Sequence, residues 1–70
     1  MAEIESDTSA VVWKVLVRAG DVVEEGDAVV ILESMKMEIP VESEESGTVT
    51  AVHVGEGDAV EEGALLVTLG

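Results

Sequence analysis

An internal repeat constrains this chain more than any other feature. Laid on itself with an offset of 37 residues, Val12–Glu33 matches Val49–Gly70 at 11 of 22 positions. The longest shared block is Gly20-Asp21-Val22-Val23-Glu24-Glu25-Gly26 against Gly57-Asp58-Ala59-Val60-Glu61-Glu62-Gly63, which differ only at Val22/Ala59. Glycine reaches positive φ without steric cost and aspartate bonds its own backbone, so both ends of the block read as turns. Each repeat is expected to run strand, Gly-Asp turn, short strand, Glu-Gly turn, strand. The chain has 70 residues, and a domain of that size buries only about 60% of the surface its unfolded form exposes. Neither half can close a core alone. Two halves packed face to face give a sandwich or flattened barrel, in a single domain spanning residues 1–70.

The hydrophobic pattern agrees. From Val11 to Arg18, Val11, Trp13, Val15 and Val17 alternate with Val12, Lys14, Leu16 and Arg18. Period two in a valine-rich stretch predicts a half-buried strand. Thr48 to Val54 alternates in the same way, and Ala28–Leu32 and Leu65–Leu69 are short apolar runs bounded by turn residues. Met37, Ile39 and Val41 alternate with Glu38, Pro40 and Glu42. Pro40 has no N–H to give to a ladder, which predicts an edge strand. No segment shows three turns of helical periodicity. The fold class is all-β.

Composition then excludes several kinds of chemistry. The chain is 47% hydrophobic, too much for a disordered acidic tail. Sixteen acidic side chains stand against three Lys/Arg, a net charge of −13, so there is no cationic footprint for nucleic acid. No cysteine is present, which removes disulfides, thiolate metal sites and thiol catalysis. The single histidine, His53, cannot build a multi-histidine metal site. The longest unbroken apolar run, Ala28–Leu32, has five residues, so no membrane-spanning helix is expected. Met1-Ala2-Glu3-Ile4-Glu5 is acidic, unlike a signal or transit peptide. The expected compartment is the cytoplasm, and the expected state in isolation is a monomer.

The connector between the repeats, Ser34 to Ser46, carries the anomaly. Strand-like sequence on both sides leaves room only for a tight hairpin over residues 33–38, with Met35-Lys36 at its tip. Two-residue hairpin turns require positive φ and favour Asn, Asp or Gly, and this tip has none. Broken local rules concentrate at functional or strained sites. Lys36 is one of only three cations, and both methionines beyond Met1 flank it. A catalytic lysine would need burial or a neighbouring cation to lower its pKa. Neither is expected at a hairpin tip amid this much negative charge. A lysine modified by another enzyme needs only exposure. The plainer alternative is an ordinary solvated lysine.

Glu33-Ser34-Met35-Lys36-Met37 resembles the attachment motif of biotinyl domains, the biotin carboxyl carrier family, with serine where many members have alanine. The paired Gly-Asp and Glu-Gly turns and the lysine midway between repeats match that family too, from about residue 8 to residue 70. With no Ala/Pro-rich linker, the chain is most similar to small free-standing biotin/lipoyl attachment proteins. The resemblance implies a flattened barrel of two four-stranded antiparallel sheets with quasi-twofold symmetry. It implies biotin held by an amide on Lys36, and no catalytic or metal-binding residues. Met35, Met37 and Glu33 would be read by a biotin protein ligase or by the partner active sites, although Met37 also shares a face with Ile39 and Val41. Biotin carboxylase and carboxyltransferase subunits are the implied partners. The family's bacterial thumb is not expected, because the Gly20–Gly26 turn carries no insertion.

Two alternatives stay open. A lipoyl carrier for a 2-oxo acid dehydrogenase or glycine cleavage system shares fold and hairpin but usually has Asp-Lys-Ala at the tip. A small acidic interaction module would leave the lysine bare. Elsewhere, His53 is expected to face outward and Trp13, the counterpart of Thr50, to fill an off-centre part of the core. The runs Glu42-Ser43-Glu44-Glu45, Glu24-Glu25 and Glu61-Glu62 are expected to be solvated turns.

Overall fold

Eight strands follow one another along residues 2–70, the part of the chain that the computed structural model describes; residue 1 of the expected domain lies outside it. They are β1 (Ala2–Glu5), β2 (Ala10–Val15), β3 (Val22–Val23), β4 (Ala28–Ser34), β5 (Met37–Glu42), β6 (Gly47–Val52), β7 (Ala59–Val60) and β8 (Leu65–Leu69). Two four-stranded sheets result, in the orders β1-β8-β6-β3 and β5-β4-β2-β7. Every pairing is antiparallel. The all-β, two-sheet architecture is as expected, and Pro40 does lie on an edge strand, β5.

The repeats do not form one layer each. β3 pairs with β6 of the other repeat, and β7 with β2. The Gly-Asp turns make this exchange possible. Asp21 Oδ2 accepts the Arg18 N–H at 3.0 Å, and Asp58 Oδ2 accepts the Gly55 N–H at 2.8 Å. Gly20 and Gly57 have φ of 98° and 92°, a region closed to most side chains. Each then donates across to the other repeat, Gly20 N–H to Val49 O and Gly57 N–H to Val12 O, both at 2.8 Å.

The equivalence reaches further back than Val12. Ile4, Glu5, Ser6 and Ser9 correspond to Val41, Glu42, Ser43 and Ser46 at the same offset. β1 is thus the counterpart of β5 and supplies the eighth strand, which the acidic N-terminal sequence did not announce. Ser6 and Ser43 are both buried. Ser6 Oγ donates to the Thr8 carbonyl at 2.6 Å and accepts the Thr8 N–H at 3.3 Å. Ser43 makes the same pair of bonds with Glu45. Glu42, Glu44 and Glu45 are solvated as expected, but Ser43 between them is not.

The core is built by the same operation. Val12/Val49, Val23/Val60, Val29/Leu66, Val30/Val67 and Leu32/Leu69 are all buried, with Ile4 beside them. Each such side chain contributes about 1.5–3 kcal/mol when removed from water. Strict alternation fails because of β-bulges. Val12 pairs with Leu32 and Lys14 with Ile31, leaving Trp13 as an extra residue; Thr50 is extra in the same way between Val49 and Ala51. A bulge shifts the inside–outside pattern by one residue. Val12, Val15 and Val17 therefore turn inward, while Val11 and Trp13 turn out. Trp13 is not a core residue: it is 42% exposed, with Lys14 Nζ 5.6 Å from its ring centroid.

Candidate functional site

β4 and β5 are the legs of the expected hairpin. Glu33 pairs with Glu38 and Ser34 with Met37, so Met35 and Lys36 alone make the turn. Their φ values are 53° and 64°. Positive φ at both central residues is the signature of a type I′ turn, whose twist matches that of the strands it joins. In that region an ordinary side chain costs about 1–2 kcal/mol per residue. The ladder below adds a further tension, because two like charges directly opposite each other, Glu33 and Glu38, are destabilising.

The tip is fully presented. Met35 is 88% exposed and Met37 is 59% exposed, with Glu33, Lys36 and Glu38 exposed as well. Met37 keeps the facing of Ile39 and Val41, but those two are half-buried against the core and Met37 extends beyond it. The structure thus gathers Glu33, Met35, Lys36 and Met37 on one hairpin and gives none of them a packing role. Glu38 joins them; its alternation with Met37 placed it on the strand, but only the register sets it opposite Glu33.

Other features lie apart from this hairpin. His53 faces outward as expected, its Nε2 2.8 Å from Thr68 Oγ1. A cleft of about 860 Å³ separates β1 from β5 and is floored by Ile4, Leu32 and Val41, with acidic side chains along its margins; Lys36 is not part of it. Among the described residues no three His, Cys, Asp or Glu side chains converge as a metal site. The chemistry available at the tip is that of one accessible primary amine. It can enter an amide with an activated carboxyl group, provided that another enzyme does the activating.

Known proteins share this arrangement. The biotin/lipoyl family model, described as "Biotin-requiring enzyme", matches residues 1–69. The chain is 69% identical over 29 residues to the biotin/lipoyl attachment protein of Bacillus subtilis, covering 41% of this chain and 40% of that protein. It is 55% identical over 42 residues to biotinylated protein TB7.3 of Mycobacterium tuberculosis, 59% of either chain. The matched stretches therefore span about half the length of these relatives. Among solved structures, urea carboxylase of Kluyveromyces lactis superposes with a TM-score of 0.92 at 36% identity, over 99% of this chain and 6% of that one. A single-chain, multi-domain long-chain acyl-CoA carboxylase shares the fold, with a TM-score of 0.88 at 24% identity over 94% of this chain and 7% of its own. Sheet order, central hairpin and sequence match agree: the chain belongs to the biotin/lipoyl attachment family.

Proposed function

We propose that this chain is a non-catalytic biotin carrier and that Lys36 is its attachment lysine. The observation that carries the reading is a primary amine at the tip of a two-residue turn, held there in a left-handed backbone between two exposed methionines. Attachment through an amide asks only for an accessible amine, and Lys36 meets that condition. When bound, biotin supplies the carboxyl-carrying chemistry, accepting the group from a biotin carboxylase and yielding it to a carboxyltransferase. The chain's own work is presentation. β4 and β5 hold the lysine clear of the sandwich, and Glu33, Met35 and Met37 form the surface around it for the ligase or partner enzymes to read. A tether at the tip also raises the effective concentration of the arm at both partner sites.

Met-Lys-Met rather than Asp-Lys-Ala favours biotin over lipoate, as does the name of the mycobacterial relative, a biotinylated protein. The name of the Bacillus relative covers both cofactors, so a lipoyl carrier is the competing outcome. The test is intact mass after production in a host with an active biotin protein ligase. One biotinyl group is expected, and none in Lys36→Arg. A bare Lys36, under conditions that biotinylate a known carrier domain, overturns the reading.

A further inference from the structure

The repeat supplies an internal control for the surface. Residues 37 apart hold equivalent places in the two sheets, so an outward difference between them has not been dictated by packing. On the outer face of the hairpin's sheet, Val11 and Leu16 are 44% and 48% exposed, Trp13 stands between them, and Ile31 is half-buried alongside. Their counterparts are Thr48, His53, Thr50 and Thr68. That second face is closed by polar contacts: Thr50 Oγ1 donates to the Thr68 carbonyl at 3.2 Å, and His53 Nε2 lies 2.8 Å from Thr68 Oγ1. The fold therefore accepts polar residues at all four positions. One exposed pair runs the other way, Val22 against Ala59, on the two-residue strands at the sheet edges.

The apolar face is continuous with the hairpin. Val11 pairs with Glu33, and Ile31 lies on β4, the strand that runs on into the turn at Lys36. Exposed apolar residues rimmed by charge mark protein docking surfaces, and tryptophan is the side chain most often central to them. Charge narrows the occupant. Lys14 also lies on this face, paired with Ile31 and with its Nζ over the Trp13 ring. Glu33 and Glu38 at the rim and the net charge of −13 outweigh it, so a second copy is repelled and a basic partner attracted. An enzyme that uses the loaded arm can grip the arm itself. The enzyme that first modifies Lys36 meets no arm and must take its binding energy from the protein surface.

We propose that Val11, Trp13, Leu16 and Ile31 form the docking face for the biotin protein ligase, which presents an apolar patch ringed by Lys or Arg. The proposal rests on Lys36 being the attachment lysine. The twofold mates supply the variants, since Thr already occupies the equivalent bulge at position 50 and the equivalent strand position at 48. With purified ligase, biotin and ATP, Trp13→Thr is expected to raise the KM for the unmodified chain about tenfold, and Val11→Thr severalfold. The kcat should stay within about twofold, as Lys36 is untouched. Thr50→Val on the opposite face should leave KM unchanged. Circular dichroism and melting check that each variant folds, and Val11→Thr decides alone if Trp13→Thr does not. A wild-type chain that the ligase never modifies overturns the attachment reading. A modified wild type whose KM is unaltered in both variants overturns the docking face. Sedimentation showing a dimer that Trp13→Thr dissolves, with KM unaltered, assigns the face to a second copy instead.

Discussion

Met35 and Lys36 adopt a backbone that glycine or asparagine would adopt more cheaply. The chain retains them at a tip where both are exposed and packing asks for neither. Met35→Gly is expected to relieve the strain at the first turn position, about 1–2 kcal/mol, less some 0.5–1 kcal/mol for the added freedom of the unfolded chain. A net gain near 1 kcal/mol corresponds to a melting temperature higher by about 4–8 °C for a domain of this size. If a ligase reads Met35 as proposed, its efficiency on the same variant should fall. An unchanged or lower melting temperature would show that the turn stores no strain. The site was legible in the sequence through this mismatch between turn position and residue type. Met37 was less so. Alternation puts it on the core face, and only the register shows that the sandwich ends before reaching it.

At the level of elements, the bulges and the paired serines decide what is inside. No residue pattern marks Trp13 or Thr50 as bulged, since each sits in a run that alternates well. Trp13 was consequently expected in the core, and the bulge turned it outward. β1 was hidden for a different reason. The repeat does continue through Glu5/Glu42, Ser6/Ser43 and Ser9/Ser46, but mismatches at Asp7/Glu44, Thr8/Glu45, Ala10/Gly47 and Val11/Thr48 dilute it. Equivalent bonds should have equivalent worth. Removing either hydroxyl leaves two backbone groups without that partner at a buried turn, at a cost of about 1–3 kcal/mol. Ser6→Ala and Ser43→Ala should therefore lower stability by similar amounts in denaturant titrations. A large loss in one and none in the other would break the structural equivalence of the two turns.

For the whole molecule, the repeat explains how so short a chain closes a core. Its two halves exchange strands, and among the described residues ten of the eleven buried apolar side chains are twofold pairs. That much was legible from the offset of 37; the exchange itself was not, because the sequence does not say to which sheet each short strand returns. Charge acts at the same scale. The longest dimension is 31 Å, and at about 0.01 M salt the screening length is also about 30 Å, so the excess carboxylates repel one another across the entire domain. At about 1 M it shrinks to roughly 3 Å. The melting temperature should rise by several degrees between these conditions, and a flat or falling trend would contradict this reading of the acidity. Against that acidic body, one exposed lysine on the central hairpin is the feature that a carrier requires. The decisive measurement is the mass of the peptide containing Lys36, isolated from the organism that makes this chain. A biotinyl group on Lys36 is the predicted result; a lipoyl group there, or an unmodified lysine where other carriers are loaded, would contradict it.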